Sequence, residues 1–132
     1  MTDTSPASCF GLRVLVVDDH EDTRDLLQQV FTHEGATVVT ASSAHEAVTS
    51  LDTVDAVVTD YSMPDGTGLW LLRQTQARAL QVPVIMMTGY ADVYLTGLSA
   101  APFASVLLKP IDPWVLCREV RDVVRRTREA EP

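Results

Sequence analysis

Five short apolar runs recur along the chain, and after each the hydrophobic period changes. Arg13 to Val17 is β-branched and almost wholly apolar over strand length, as expected of a strand covered on both faces. Beyond it, Leu26, Leu27, Val30 and Phe31 fall on one face of a helix spanning Glu21 to Glu34. Gly35 stands where a left-handed C-terminal cap belongs. Thr37 to Thr40 reads as a second strand, and Ser43 to Leu51 as a short helix with Ser42 or Ser43 as N-cap. Asp55 to Thr59 is a third strand. A turn-rich segment, Tyr61 to Gly68, then leads into a helix over Leu69 to Ala79. Pro83 to Met87 and Ser105 to Leu108 are the fourth and fifth strands. Between them Asp92 to Ser99 reads as a weak helix, with Gly97 inside it and Pro102 ending it. Asp112-Pro113 supplies an N-cap with proline in the first turn. The last helix runs to about Arg128, with Val115, Leu116, Val120, Val123 and Val124 on its buried side.

Strands alternating with helices imply successive βαβ units and a parallel sheet. Right-handed crossovers make a five-stranded, doubly wound α/β sheet of flavodoxin-like order 2-1-3-4-5 the simplest arrangement. One domain is expected over residues 12–129. The small, polar stretch 1–11 reads as a disordered lead, and 130–132 as a short tail.

Bulk properties narrow the function. A domain of 132 residues can bury roughly two-thirds of its unfolded surface, so it needs neither disulfide nor metal to hold a core. The formal net charge of −8 argues against direct nucleic-acid binding, which needs Lys and Arg to displace counterions. Cys9 and Cys117 have no C-x-x-C spacing. Cys117 lies within an apolar helical pattern and reads as a buried thiol, and Cys9 falls in the lead. No apolar stretch approaches the ~20 residues of a membrane span. Residues 1–11 have neither the basic start nor the apolar centre of a signal peptide. A cytoplasmic setting is the expectation.

The candidate chemistry lies where the apolar runs end. Asp18 and Asp19 follow the first, Asp60 the third, Thr88 the fourth and Lys109 the fifth. In an open α/β sheet that edge is where ligands bind. Taken singly, an Asp at a strand end is more often a turn former or helix cap, and Thr88-Gly89 is an ordinary turn. Asp18-Asp19 alone could complement the dipole of the following helix. Together, at four strand ends, they form a set. Crowded carboxylates raise one another's pKa unless a cation intervenes, and hard oxygen donors suit Mg²⁺. Lys109 offers a compact charge for a phosphoryl group, Thr88 a hydroxyl donor, and a carboxylate can serve as nucleophile to form an aspartyl phosphate.

These residues resemble the receiver domain of two-component response regulators, from Arg13 to about Arg128. Asp60 opens Asp60-Tyr61-Ser62-Met63-Pro64-Asp65-Gly66-Thr67-Gly68, similar to the family's D-x-x-M-P-x-x-x-G signature, with Asp18-Asp19, Thr88-Gly89 and Lys109-Pro110 at the corresponding strand ends. The resemblance implies a phosphoacceptor at Asp60, charged from the phosphohistidine of a sensor kinase or histidine phosphotransfer protein. Asp19, Asp60 and the Ser62 carbonyl would ligate Mg²⁺ directly, and Asp18 would act through water. Lys109 and Thr88 would contact the phosphoryl group, and Lys109-Pro110 would be cis.

One departure concerns the readout. Many receivers carry Tyr or Phe three residues before the lysine, where it moves together with the threonine. Here Val106 stands there, so the Thr88–Val106 pair must relay any change differently. Phe103, six residues before Lys109, reads as a packing residue. Tyr90, two residues beyond Thr88, is expected to shield the acyl phosphate. Trp70 is either a partner anchor or packs on the sheet. Output is expected through a partner or a homodimer, and Leu107 to Asp112 also resembles receivers found within hybrid kinases.

The alternative is a receiver-like interaction domain that works without phosphorylation. A haloacid-dehalogenase-like phosphatase would carry D-x-D after the first strand, whereas here Asp18-Asp19 is followed by His20. A flavodoxin-type carrier would need a Ser/Thr/Gly-rich loop there, and Asp18 to Asp22 would repel the FMN phosphate.

Overall fold

The computed structural model describes residues 9–63, 66–89 and 101–130. In chain order its elements are β1 (Arg13–Val17), α1 (Glu21–His33), β2 (Thr37–Ala41), α2 (Ala44–Val48), β3 (Ala56–Asp60), β4 (Ser62–Met63), β5 (Gly66–Thr67), α3 (Gly68–Ala77), β6 (Val84–Thr88), β7 (Ser105–Leu108) and α4 (Pro113–Glu129). The helix expected over Asp92 to Ser99, with Tyr90 and Tyr94, lies outside the described residues.

Five strands form one parallel sheet in the order β2-β1-β3-β6-β7. Counting only these five in chain order, it is 2-1-3-4-5, as expected. β4 and β5 make a separate two-residue antiparallel ladder.

Because strand side chains alternate in direction, consecutive residues feed two cores. Val14, Val16, Val58, Ile85 and Met87 pack with Leu27, Val30, Phe31, Leu116, Val120 and Val123 from α1 and α4. Leu15, Val17, Val57 and Val84 pack on the opposite face with Ala44, Ala47, Leu71 and Leu72 from α2 and α3. Burial on both faces is why β1, β3 and β6 read as continuous apolar runs.

Local chemistry sets the helix ends. Ser43 Oγ accepts from Glu46 N–H at 3.1 Å, Thr67 Oγ1 from Trp70 N–H at 3.1 Å, and Asp112 Oδ1 from Trp114 N–H at 2.8 Å. Of the two serines expected to cap α2, Ser43 does so, while Ser42 Oγ donates to Glu46 Oε2. α2 ends at Val48, short of Leu51, because the chain tightens there. Ser50 N–H bonds to Ala47 O, and Leu51 N–H to Val48 O. Gly35 has φ +89°, and the Ala36 N–H bonds back to Phe31 O at 3.0 Å, closing the end of α1.

Residues 9–11, expected as part of a disordered lead, belong to the fold. Cys9 N–H bonds to Glu34 O at 3.0 Å and Gly11 N–H to Gly35 O at 3.1 Å. Cys9 is fully buried in the α1/α4 core. A small polar composition hid Cys9, which packs as a hydrophobe. Cys117 is buried as expected and lies against Cys9, whose Sγ donates to the Cys117 carbonyl at 3.3 Å. The neighbouring Cys9 thiol, together with burial, pushes the Cys117 thiol well above its ordinary range, so it stays neutral.

Candidate functional site

Asp60 and Thr88 are the last residues of β3 and β6, not the first of the loops beyond them. Asp60 lies in register with Met87, and Thr88 with Leu108, the residue before Lys109. The strand order therefore delivers Asp18, Asp60, Thr88 and Lys109 to one edge. Tyr61 N–H donates to Met87 O at 3.0 Å, and Lys109 N–H to Thr88 O at 2.8 Å, continuing the ladder past the strand ends. The Lys109–Pro110 peptide is cis.

Side chains converge from there. Lys109 Nζ lies 3.1 Å from Asp60 Oδ1 and 4.0 Å from Asp18 Oδ2. Asp18, Asp60 and Thr88 are all buried, while Asp19 is partly exposed. Burial raises the Asp60 carboxyl above its ordinary range. The Lys109 ammonium opposes that rise, and the Asp18 charge adds to it. Thr88 Oγ1 lies 3.4 Å from the Gly89 carbonyl.

The acidic group is under-neutralised. One ammonium faces three carboxylates, and Asp18, Asp19, His20 and Asp60 each bring a potential ligand atom within 4.8 Å of the others. Asp18 Oδ1 accepts from the His20 N–H at 2.8 Å, but the buried Asp18 Oδ2 has no hydrogen-bond partner. A buried carboxylate oxygen without a hydrogen bond, its ammonium neighbour 4.0 Å away, is costly. A divalent ion bound by oxygen donors would relieve it, so the residues present fit Mg²⁺.

Three contributors escaped the sequence reading. Arg24, one turn into α1, donates from Nη1 to the Asp18 carbonyl at 2.7 Å and holds the end of β1. Nothing in the sequence separates it from a solvated arginine. Gly68 brings α3 against the acceptor strand: its N–H bonds to Tyr61 O at 2.8 Å, and a Cβ there would stand 3.0 Å from Asp60 O and 3.2 Å from Thr59 Cγ2. Its place at the end of the Asp60 to Gly68 motif was the available signal. His20 is the third, with Nδ1 at 3.2 Å from both Asp18 Oδ1 and Asp19 Oδ1.

Val106 is half-buried on β7 in register with Met86, one same-face step before the Thr88–Leu108 pair. Phe103 packs against the α2/α3 core, as expected of a packing residue. Trp70 packs against the same core and stacks on His45, with centroids 4.9 Å apart and planes 8° from parallel.

The model of the family described as response regulator receiver domain matches residues 14–121. This chain belongs to that family. The receiver is 33% identical over 128 residues to the transcriptional regulatory protein AruR of Pseudomonas aeruginosa, covering 90% of this chain and 52% of AruR. It is 28% identical over 121 residues to the response regulator SaeR of Staphylococcus aureus, covering 88% and 52% respectively. The chain thus spans about half the length of these curated relatives. A receiver domain protein from Clostridium thermocellum superposes with TM-score 0.81 at 25% identity, over 91% of this chain and 99% of that one. TrrA from Thermotoga maritima, solved in complex with Mg²⁺-BeF, superposes with TM-score 0.73 at 26% identity, over 85% and 98%. The receiver is a signalling module of two-component systems rather than a member of an enzyme family.

Proposed function

We propose that this receiver takes a phosphoryl group onto Asp60 from the phosphohistidine of a sensor histidine kinase or histidine phosphotransfer protein in the cytoplasm, with Mg²⁺ required. The observation that carries the reading is the buried Asp60 carboxylate 3.1 Å from Lys109, beside a buried Asp18 oxygen that has no hydrogen bond. A carboxylate oxygen of Asp60 forms the new P–O bond as the donor's P–N bond breaks, and the imidazole leaves with the electron pair. Lys109 holds positive charge where the phosphoryl oxygens concentrate negative charge, and the Thr88 hydroxyl donates to one of them. Asp19, Asp60 and the Ser62 carbonyl would hold Mg²⁺, with Asp18 acting through water. The bound ion would screen the carboxylates and offset phosphoryl charge.

Output then passes through a partner protein or a homodimer rather than through nucleic acid, since the net charge of −8 opposes phosphate-backbone binding. Among the described residues no helix is long and apolar enough to cross a membrane. Incubation with Mg²⁺ and radiolabelled acetyl phosphate is expected to give an acid-stable, base-labile label that vanishes in Asp60→Ala and on chelation. An unlabelled wild type would support the second reading, a phosphorylation-independent interaction domain, which Val106 in place of an aromatic favours.

A further inference from the structure

His20 stands at the N-cap of α1 but does not cap it. Its backbone is extended (φ −94°, ψ 117°), and its side chain makes no bond to the first-turn amides. Residues chosen for that position usually carry a capping oxygen. The imidazole turns instead toward the acidic edge, and its Nδ1 sits 3.2 Å from Asp18 Oδ1 and from Asp19 Oδ1. Both separations exceed the roughly 2.7–2.9 Å of a tight charge-assisted bond, so neither carboxylate holds the ring firmly. The side chain is 69% exposed, so it can rotate about its own bonds without disturbing the core. The other oxygen of the same Asp18 carboxylate, Oδ2, is wholly buried and without a hydrogen-bond partner.

We propose that His20 supplies a nitrogen donor to the cation site, so that this receiver favours Mn²⁺ over Mg²⁺. The inference rests on reading Asp18, Asp19 and Asp60 as a cation site, and it adds a ligand to that set. Mg²⁺ takes oxygen donors and gives up water reluctantly, so an imidazole contributes little to it. First-row transition ions accept imidazole nitrogen, and a site dominated by carboxylates selects a hard member of that row. A ring holding the ion would be neutral, with its Nδ1 lone pair directed at the metal and its proton on Nε2. The other two histidines are engaged elsewhere. His33 meets Trp114 edge-on at 5.5 Å, and His45 stacks on Trp70.

The test is pulsed electron paramagnetic resonance of the Mn²⁺-loaded chain, made with ¹⁴N- or ¹⁵N-histidine, together with calorimetric titration of Mn²⁺ and Mg²⁺. His20→Asn is the informative variant, because asparagine is a favoured N-cap and preserves α1 while removing the imidazole. The wild type is expected to show a histidine-nitrogen coupling to Mn²⁺ that is lost in His20→Asn. In the same variant Mn²⁺ affinity should fall about 10-fold or more, with Mg²⁺ affinity changing far less. Both metals binding without a histidine coupling, or with an unchanged affinity ratio in His20→Asn, would overturn the role of His20 and leave the cation site standing. Neither metal binding the wild type, or both binding Asp60→Asn undiminished, would sink the cation site and His20's part in it together.

Discussion

At the Asp60 carboxylate, burial and a neighbouring ammonium act in opposite directions, and burial prevails. The folded-state pKa therefore lies above the ordinary 3.8, and between those two values the folded chain holds a proton that the unfolded chain has released. Stability contributed by this group is present at low pH and lost as pH rises through the folded value. Replacing Asp60 by Asn removes that loss. In chelator, Asp60→Asn is expected to melt above the wild type at pH 7, with the gap closing as pH falls toward 4. Thermal melts across that range check it, and a wild type that gains stability with rising pH relative to the variant would contradict it. Saturating Mg²⁺ should narrow the gap, because ligand binding stabilises the chain that binds it better. The same balance explains why the residue was legible in the sequence while its electrostatics were not. An Asp after an apolar run marks a position, but its pKa depends on Lys109 and Asp18 arriving from other strands.

The five sheet strands and α1 to α4 follow the local patterns, with departures at their ends, while the β4–β5 ladder within the turn-rich segment was not expected. α1 closes on Gly35 at φ +89°, where an added Cβ would approach Phe10 Cα to 2.9 Å. Gly35→Ala meets both a left-handed backbone and a backbone clash, and is expected to cost about 1–3 kcal/mol. α3 ends the other way: Ala79, not glycine, takes φ 54°, and the Leu80 N–H bonds back to Thr75 O at 2.9 Å. Ala79→Gly should relieve the left-handed alanine at some entropic expense in the unfolded chain, for a net gain of about 0.5–1 kcal/mol. Urea unfolding of the two variants should move in opposite directions. Gly35 was readable because a glycine followed an amphipathic run, whereas no residue type announced that Ala79 would adopt a glycine's conformation. The early stop of α2 was equally hidden, since the residues from Ser43 to Leu51 remain compatible with a longer helix.

For the whole molecule, the two faces of the sheet decide what is structural. The stretch 1–11 was expected to be a disordered lead, yet Cys9 is as buried as Phe31 and its amide is tied to the end of α1. Deleting residues 1–10 should therefore lower stability by about 1–2 kcal/mol, the scale of one buried apolar side chain. Chemical denaturation of the shortened chain is the measurement, and an unchanged midpoint would return residues 9 and 10 to the lead. The apolar runs, the change of period after each, the serine, threonine and aspartate caps, and the chemical identity of every strand-end residue were all set by the sequence itself. They depend on neighbours a few positions away, and short-range propensity and periodicity report such neighbours directly. Only the tertiary structure could decide that Lys109 reaches Asp60, that one oxygen of Asp18 is left without a hydrogen bond, and that Cys9 joins the core. Each of these depends on segments far apart in the chain becoming neighbours. That adjacency follows from burying both faces of one sheet through right-handed crossovers, a constraint on the whole chain that no local window contains.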